Sequence, residues 1–243
     1  MSYALSSDLL ITAPDLTYDS TVKALELGTK AVTPDGRGFR FCLAGGTGLV
    51  PGKLQQAPAE ITNHQNLTPS AAAIGVSEVT VTLGATAATL DQYAGGYLVV
   101  TTTPGQGYQY KIKGHPAADS AATLLLTLED SIRVALTASS VVDLVLNPYS
   151  GVILNPTTLT SCPVGVAVTG VTLAQYGWIQ TGGVATLLAD GANAVGANVV
   201  ASNGIDGAVE DAASPGLQPL VGTCVTGAAD TEYGAVLLNI QGA

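Results

Sequence analysis

Only two histidines occur in this chain, His64 and His115, and they limit its proton-transfer chemistry. His115 precedes Pro116 with Asp119 close behind, a spacing in which a carboxylate can orient an imidazole as general base. Both histidines lie in polar or Pro-flanked stretches and are expected to be solvated loop residues. Glu129-Asp130 and Glu210-Asp211 are adjacent carboxylates. Neighbours on a strand point to opposite faces, so they are read as turn residues ahead of a glycosidase dyad, which can also form across space. Gly46-Thr47-Gly48-Leu49-Val50-Pro51-Gly52-Lys53 has the glycines of a phosphate loop, but its spacing is one residue off. Leu54 stands where a metal-binding Ser or Thr belongs, and no helix pattern follows to present its N-terminus. The stretch reads as a glycine-rich turn. Asp206 to Asp211 lacks the regular oxygen ligands of a calcium loop. No cofactor, metal or enzymatic activity is expected.

The aromatic residues offer a different chemistry. Tyr176 and Trp178 would share one face of a strand, with Ile179 on the other. Trp178, the only tryptophan, is read first as a core centrepiece, then as an interface anchor, and last as part of a sugar platform. The three cysteines, Cys42, Cys162 and Cys224, are far apart and odd in number, which argues against a disulfide framework or a zinc site. They are expected to be small buried hydrophobes in a protein made in a reducing cytosol.

Short runs of period two must position these residues. Val79, Val81 and Leu83 alternate with Thr80 and Thr82, and Tyr108, Tyr110 and Ile112 with Gln109, Lys111 and Lys113. Leu124, Leu126 and Leu128, then Ile132, Val134 and Leu136, then Val164, Val166 and Val168, continue the pattern. Turn signals punctuate them: Asp35-Gly36, Gly45-Gly46, Gly95-Gly96, Pro104-Gly105, Gly182-Gly183, Asp190-Gly191, Asn203-Gly204, Asp206-Gly207 and Pro215-Gly216. Many short strands with regular turns predict an all-β protein of sandwich or small-barrel units with an extended N-terminal arm. The expected divisions are 1–56 (arm and hairpin), 57–75 (linker), 76–147 (a β unit) and 148–243 (a C-terminal β unit). A weak strand or helical turn is expected around Val22–Leu27, and a hairpin with Phe39 and Phe41 on one face. No repeat of fixed period stands out.

Composition narrows the function. Charged residues are 11% of the chain, against roughly 25% in an ordinary soluble domain. The net charge is −10. Eight bases face eleven acids up to Arg133, and seven acids with no base follow. Nucleic acid and anionic membrane surfaces are therefore not expected partners. The opening Met1 to Asp8 lacks a basic region and a long apolar run, so no signal peptide is expected. A neutral, small-residue surface suits contact with copies of itself or with a larger assembly.

Val22-Lys23-Ala24-Leu25-Glu26-Leu27-Gly28-Thr29, followed by Asp35-Gly36-Arg37-Gly38-Phe39-Arg40-Phe41, resembles the opening of many tailed-bacteriophage capsid decoration, or cement, proteins. Tyr176–Gly183, Ala189-Asp190-Gly191, Ala194-Val195-Gly196 and the ending Asp230-Thr231-Glu232-Tyr233 with Val236-Leu237-Leu238 are similar to that class too. The resemblance covers both ends well and 57–160 loosely. It implies a virion structural protein on the capsid exterior, made in the host cytoplasm, binding the major capsid protein and itself, commonly as a homotrimer. It implies no catalytic residues. The expected capsid or oligomer contacts are Lys23, Lys30, Arg37, Phe39, Arg40, Phe41, Lys53, Tyr176 and Trp178. Residues 1–20 are expected to be a removable arm that adds a strand to a neighbour. Alternatives are a tail-tube, baseplate or fibre component, a carbohydrate-binding β module around Tyr176 and Trp178, and, last, a polysaccharide lyase or hydrolase.

Overall fold

A computed structural model describes residues 9–212 and 218–240, and within them the protein is all-β. Pro215-Gly216 and residues 1–8 of the expected arm lie outside the described residues. The chain forms two compact units, Met1–Pro58 with Pro148–Ala243, and Ala59–Asn147. Unit 1 opens with β1 (Leu9–Leu10), a short helical turn α1 (Ala13–Leu16), β2 (Lys30–Val32), β3 (Gly38–Ala44) and β4 (Leu54–Gln56). Unit 2 carries a 3-10 turn at Thr62–His64, then β5 (Glu78–Thr82), β6 (Tyr97–Val100), β7 (Gln109–Gly114), β8 (Thr123–Leu128) and β9 (Val142–Val145). Unit 1 resumes with β10 (Ser150–Leu154), β11 (Pro163–Ala167), β12 (Tyr176–Leu188) and β13 (Asn198–Ala201). It ends with β14 (Val209–Asp211), β15 (Leu220–Cys224) and β16 (Tyr233–Asn239).

Unit 2 is a five-stranded antiparallel barrel in the order β5-β8-β7-β6-β9. Its alternating strands turn Val79, Val81, Tyr110, Ile112, Leu124, Leu126 and Leu128 into one core. Of residues 57–75, expected as a linker, 59–75 belong to unit 2 and help to close this barrel. Leu67 bridges Val142 beside β9, and Pro69 bridges Val81 in β5. The alternation at Ile132, Val134 and Leu136 does not make a named strand; Ile132 and Leu136 are buried from connecting turns while Val134 is only half-buried.

In unit 1 the two ends of the chain form one body, because β3 runs antiparallel to β12 from Tyr176–Leu43 to Gly182–Gly38. The expected division between 1–56 and 148–243 therefore falls inside a single sheet. Pairing runs from β3 through β10, β4 and β11 to β12 and back to β3, a closed circuit of five strands. A second circuit leaves β12 through β16, β15, β13 and β14 and returns by the Ala189–Val209 bridge. The two share β12, whose first half pairs with β3 and whose second half, Gly182–Leu188, pairs with β16. Gly182-Gly183, expected as a turn, marks this change of partner within the strand. Gly183 has φ +78°, and a Cβ there would lie 2.9 Å from Cγ of Arg37. Only glycine fits such a place without strain.

One turn recurs in both units. Leu49 and Val171, Ala88 and Ala118, and Asn193 and Ala228 exchange backbone hydrogen bonds in reciprocal pairs. Each of the six is followed by a turn closed from residue i to i+3, and each turn has positive φ at its third residue. Those third residues are Gly52, Ala174, Asp91, Ala121, Gly196 and Thr231. Positive φ there is the demand of a type II turn, which normally selects Gly or Asn.

The expected arm folds onto its own chain from residue 9 onward. Leu9 and Leu10 pair in parallel with Ala31 and Val32, Ile11 and Leu16 are buried, and Ser20 bridges Tyr176. Removing residues 1–20 would therefore strip two core side chains from unit 1, contrary to the expected removable arm. Around Val22–Leu27 there are turns and bends rather than a strand or helix. The β2–β3 hairpin forms as expected, with Gly36 at φ +84°.

Candidate interaction surface

The expected contact residues separate into a buried or half-buried aromatic set and an exposed or half-buried basic set, all in unit 1. Alternation on β3 sends Phe39 and Phe41 to one face, where they meet Ile11, Leu16, Ala31 and Trp178. Phe41 stacks on Tyr176 at 5.8 Å and meets Trp178 edge-on at 5.2 Å. Phe39, Phe41 and Trp178 are interior residues, not interface anchors, and Trp178 is only 3% exposed. That burial removes the sugar platform, since a stacking sugar needs an open ring face. Tyr176 is half-buried against Phe41. Ile179 faces away from Trp178, into the core with Cys42 and Val152.

The basic residues are held locally. Lys23 pairs with Glu26 at 2.7 Å, and Nε of Arg37 donates to Asp35 at 2.8 Å while its guanidinium lies 5.6 Å from the Phe39 ring centroid. Nη1 of Arg40 donates to the Gly28 carbonyl at 2.8 Å, and Lys30 sits directly across the hairpin from Arg40. Nζ of Lys53 donates to the carbonyl of Asp206 at 3.2 Å. Thr33 donates its hydroxyl to Asp35, and that hydrogen bond holds the Asp35 carboxyl below its usual range, with Arg37 adding to the effect. The aromatic cover thus has a basic margin, but its rings serve packing.

The candidate proton-transfer residues lie elsewhere. His64 and His115 are both in unit 2 and both buried, contrary to the expected solvated loops. Sequence reading missed this because their partners are remote: His64 contacts the hydroxyl of Tyr93, and His115 the backbone N–H of Tyr93. Glu129 pairs with Lys111 at 3.1 Å, and Glu210 and Asp211 lie side by side on β14 opposite Val200 and Val199. Among the described residues no group of three or more His, Cys, Asp or Glu is arranged to hold a metal. Cys42 and Cys224 are buried as expected, whereas Cys162 is exposed in the connection before β11. Burial pushes the Cys42 thiol up to about 12.

Each unit also exposes large apolar side chains that sequence reading did not single out. Val184 and Leu237 lie opposite one another on β12 and β16, both about half exposed, with Thr186, Ala235 and Thr223 on the neighbouring register positions. More telling are the turn tips. Leu90, Leu173 and Val195 each occupy the second position of the recurring turn, and Ile74 occupies the same position in the turn Ala73–Val76. They are 69%, 53%, 70% and 68% exposed. The signal was present in the sequence as Thr89-Leu90-Asp91-Gln92-Tyr93 and Thr172-Leu173-Ala174-Gln175-Tyr176, a repeat visible once both segments are seen to enter equivalent turns. Comparison with protein-family models, curated proteins and solved structures finds no match to the chain.

Proposed function

We propose that the protein is a non-enzymatic virion structural protein that binds the outer surface of the capsid lattice as an oligomer and stabilises the head. Its partners in this reading are the major capsid protein and further copies of itself, as a homotrimer. The observation that carries the reading is the set of exposed apolar turn tips, Ile74, Leu90, Leu173 and Val195. One exposed leucine needs no explanation. Large apolar side chains fill this position in four of the seven turns, with Pro51, Ser120 and Asp230 in the others, and contact in an assembly would use them. The uncharged Val184–Leu237 face adds neutral surface of the same kind. Many small contacts of this sort, supplied in copies, sum through effective concentration. The likeness of both chain ends to decoration proteins supports the same class.

Co-sedimentation with matured capsids of the same virus, prepared without this protein, tests the proposal. Saturable binding at a fixed ratio to the major capsid protein is expected. Folded protein that stays in the supernatant at every concentration would discard capsid decoration and leave a tail, baseplate or fibre component as the working alternative.

A further inference from the structure

The two buried histidines of unit 2 grip one tyrosine from opposite ends. Nε2 of His64 lies 2.9 Å from the Thr86 carbonyl, which can only accept, so that nitrogen carries the proton. Nδ1 is then bare and accepts the hydroxyl of Tyr93. His115 has the opposite arrangement. Its Nδ1 lies 2.8 Å from the Pro116 carbonyl and must donate, leaving Nε2 to accept the backbone N–H of Tyr93 at 3.0 Å. Tyr93 is fully buried between the two rings, whose centroids lie 5.6 and 5.7 Å from its own.

We propose that His115 is an acid-sensitive latch on the 88–96 turn of unit 2. A proton added at Nε2 would place an N–H against the N–H of Tyr93 and leave that buried amide without an acceptor. A backbone amide cannot rotate to accept, so the contact must open. His64 is more tolerant, because the Tyr93 hydroxyl can rotate from donor to acceptor. Among the described contacts of His115, the titratable partners are Asp91 and Tyr93. The Asp91 carboxylate accepts the backbone N–H of His115 at 2.9 Å, a contact to the main chain and not to the ring. The Tyr93 phenol stays protonated, since burial raises it well above its ordinary range. A proton on Nε2 of His115 and the native contact to the Tyr93 N–H therefore exclude one another. What opens is specific: Asp91 N–H to the His115 carbonyl at 3.1 Å and the reciprocal Ala88–Ala118 pair tie the same turn to the same segment.

The test uses the full chain with ring nitrogens of histidine labelled for NMR. At pH 8 the two histidines are expected in opposite tautomers, His64 protonated at Nε2 and His115 at Nδ1. The protection factor of the Tyr93 amide is expected to fall by about tenfold or more in step with protonation of the His115 ring, read from its ring-nitrogen shifts as the solution is acidified. His115→Gln, which keeps an acceptor for that amide, should retain its protection. A charged His115 with Tyr93 protection unchanged would overturn the latch, as would matching tautomers in the two rings. Should H115Q fail to fold, the wild-type tautomers and protection decide alone.

Discussion

Phe41 and Trp178 stand directly opposite one another across the β3–β12 pair, ring centroids 5.2 Å apart and planes at 65°. This edge-to-face contact joins the segment before unit 2 to the segment after it, and so helps to hold unit 1 as one body. Truncating either ring to alanine is expected to cost about 3–5 kcal/mol, read from urea unfolding. Trp178 emission in the native protein should be blue-shifted and unmoved by glycans. Red-shifted emission that glycans quench would restore the sugar platform.

The recurring turns give opposite expectations at equivalent positions. Thr231 and Ala174 hold φ of +62° and +60°. A side chain in that region costs roughly 1–2 kcal/mol, partly offset by the unfolded-state entropy of glycine. Thr231→Gly and Ala174→Gly should therefore stabilise the protein by up to about 1 kcal/mol. Gly52→Ala should destabilise it, because its Cβ would lie 2.7 Å from the Tyr233 ring at φ +71°. Thermal unfolding of the three variants checks both signs.

Strands were legible where one face meets a core. Val79 and Val81, and Leu124, Leu126 and Leu128, alternate in sequence because each strand of the unit 2 barrel has one inner face. Residues 57–75 carried no such signal, since Leu67, Pro69 and Ala72 close their connections by isolated bridges, which impose no period. His64 could not be placed from sequence because its burial depends on Tyr93, twenty-nine residues away. Phe39, Phe41 and Trp178 were legible as a group, yet core and interface select the same residue types, and only the cover of Ile11 and Leu16 decides between them. The shared strand β12 was hidden because Gly182-Gly183 has the composition of a turn.

The thiols should divide by burial. Cys162 is exposed, while Cys42 is held at about 12 by burial and Cys224 is raised by burial and then by Asp211. A thiol reagent at pH 8 is expected to modify Cys162 at once and the other two only after unfolding. Fast modification of all three in native protein would contradict the packing around Cys42 and Cys224.

The β2–β3 hairpin should loosen in acid. The Asp35 carboxyl is held below its usual range first by the Thr33 hydroxyl and then by Arg37. A depressed native value means stability present above the ordinary carboxylate range and lost as pH falls through the native one. Hydrogen exchange at Thr33 and Gly36 should quicken over that range in the wild type, and Asp35→Asn should show the loosened state at neutral pH. Equal protection in D35N at pH 7 would refute the role.

Capsid attachment through the apolar turn tips is tested most directly by co-sedimentation of the wild type beside a triple variant, Leu90→Ser, Leu173→Ser and Val195→Ser. These side chains are 53–70% exposed, so the variant should fold and melt like the parent. The expected result is saturable binding of the wild type and a loss of at least about tenfold in affinity for the variant. A folded variant that binds mature capsids as tightly as the wild type would contradict the account.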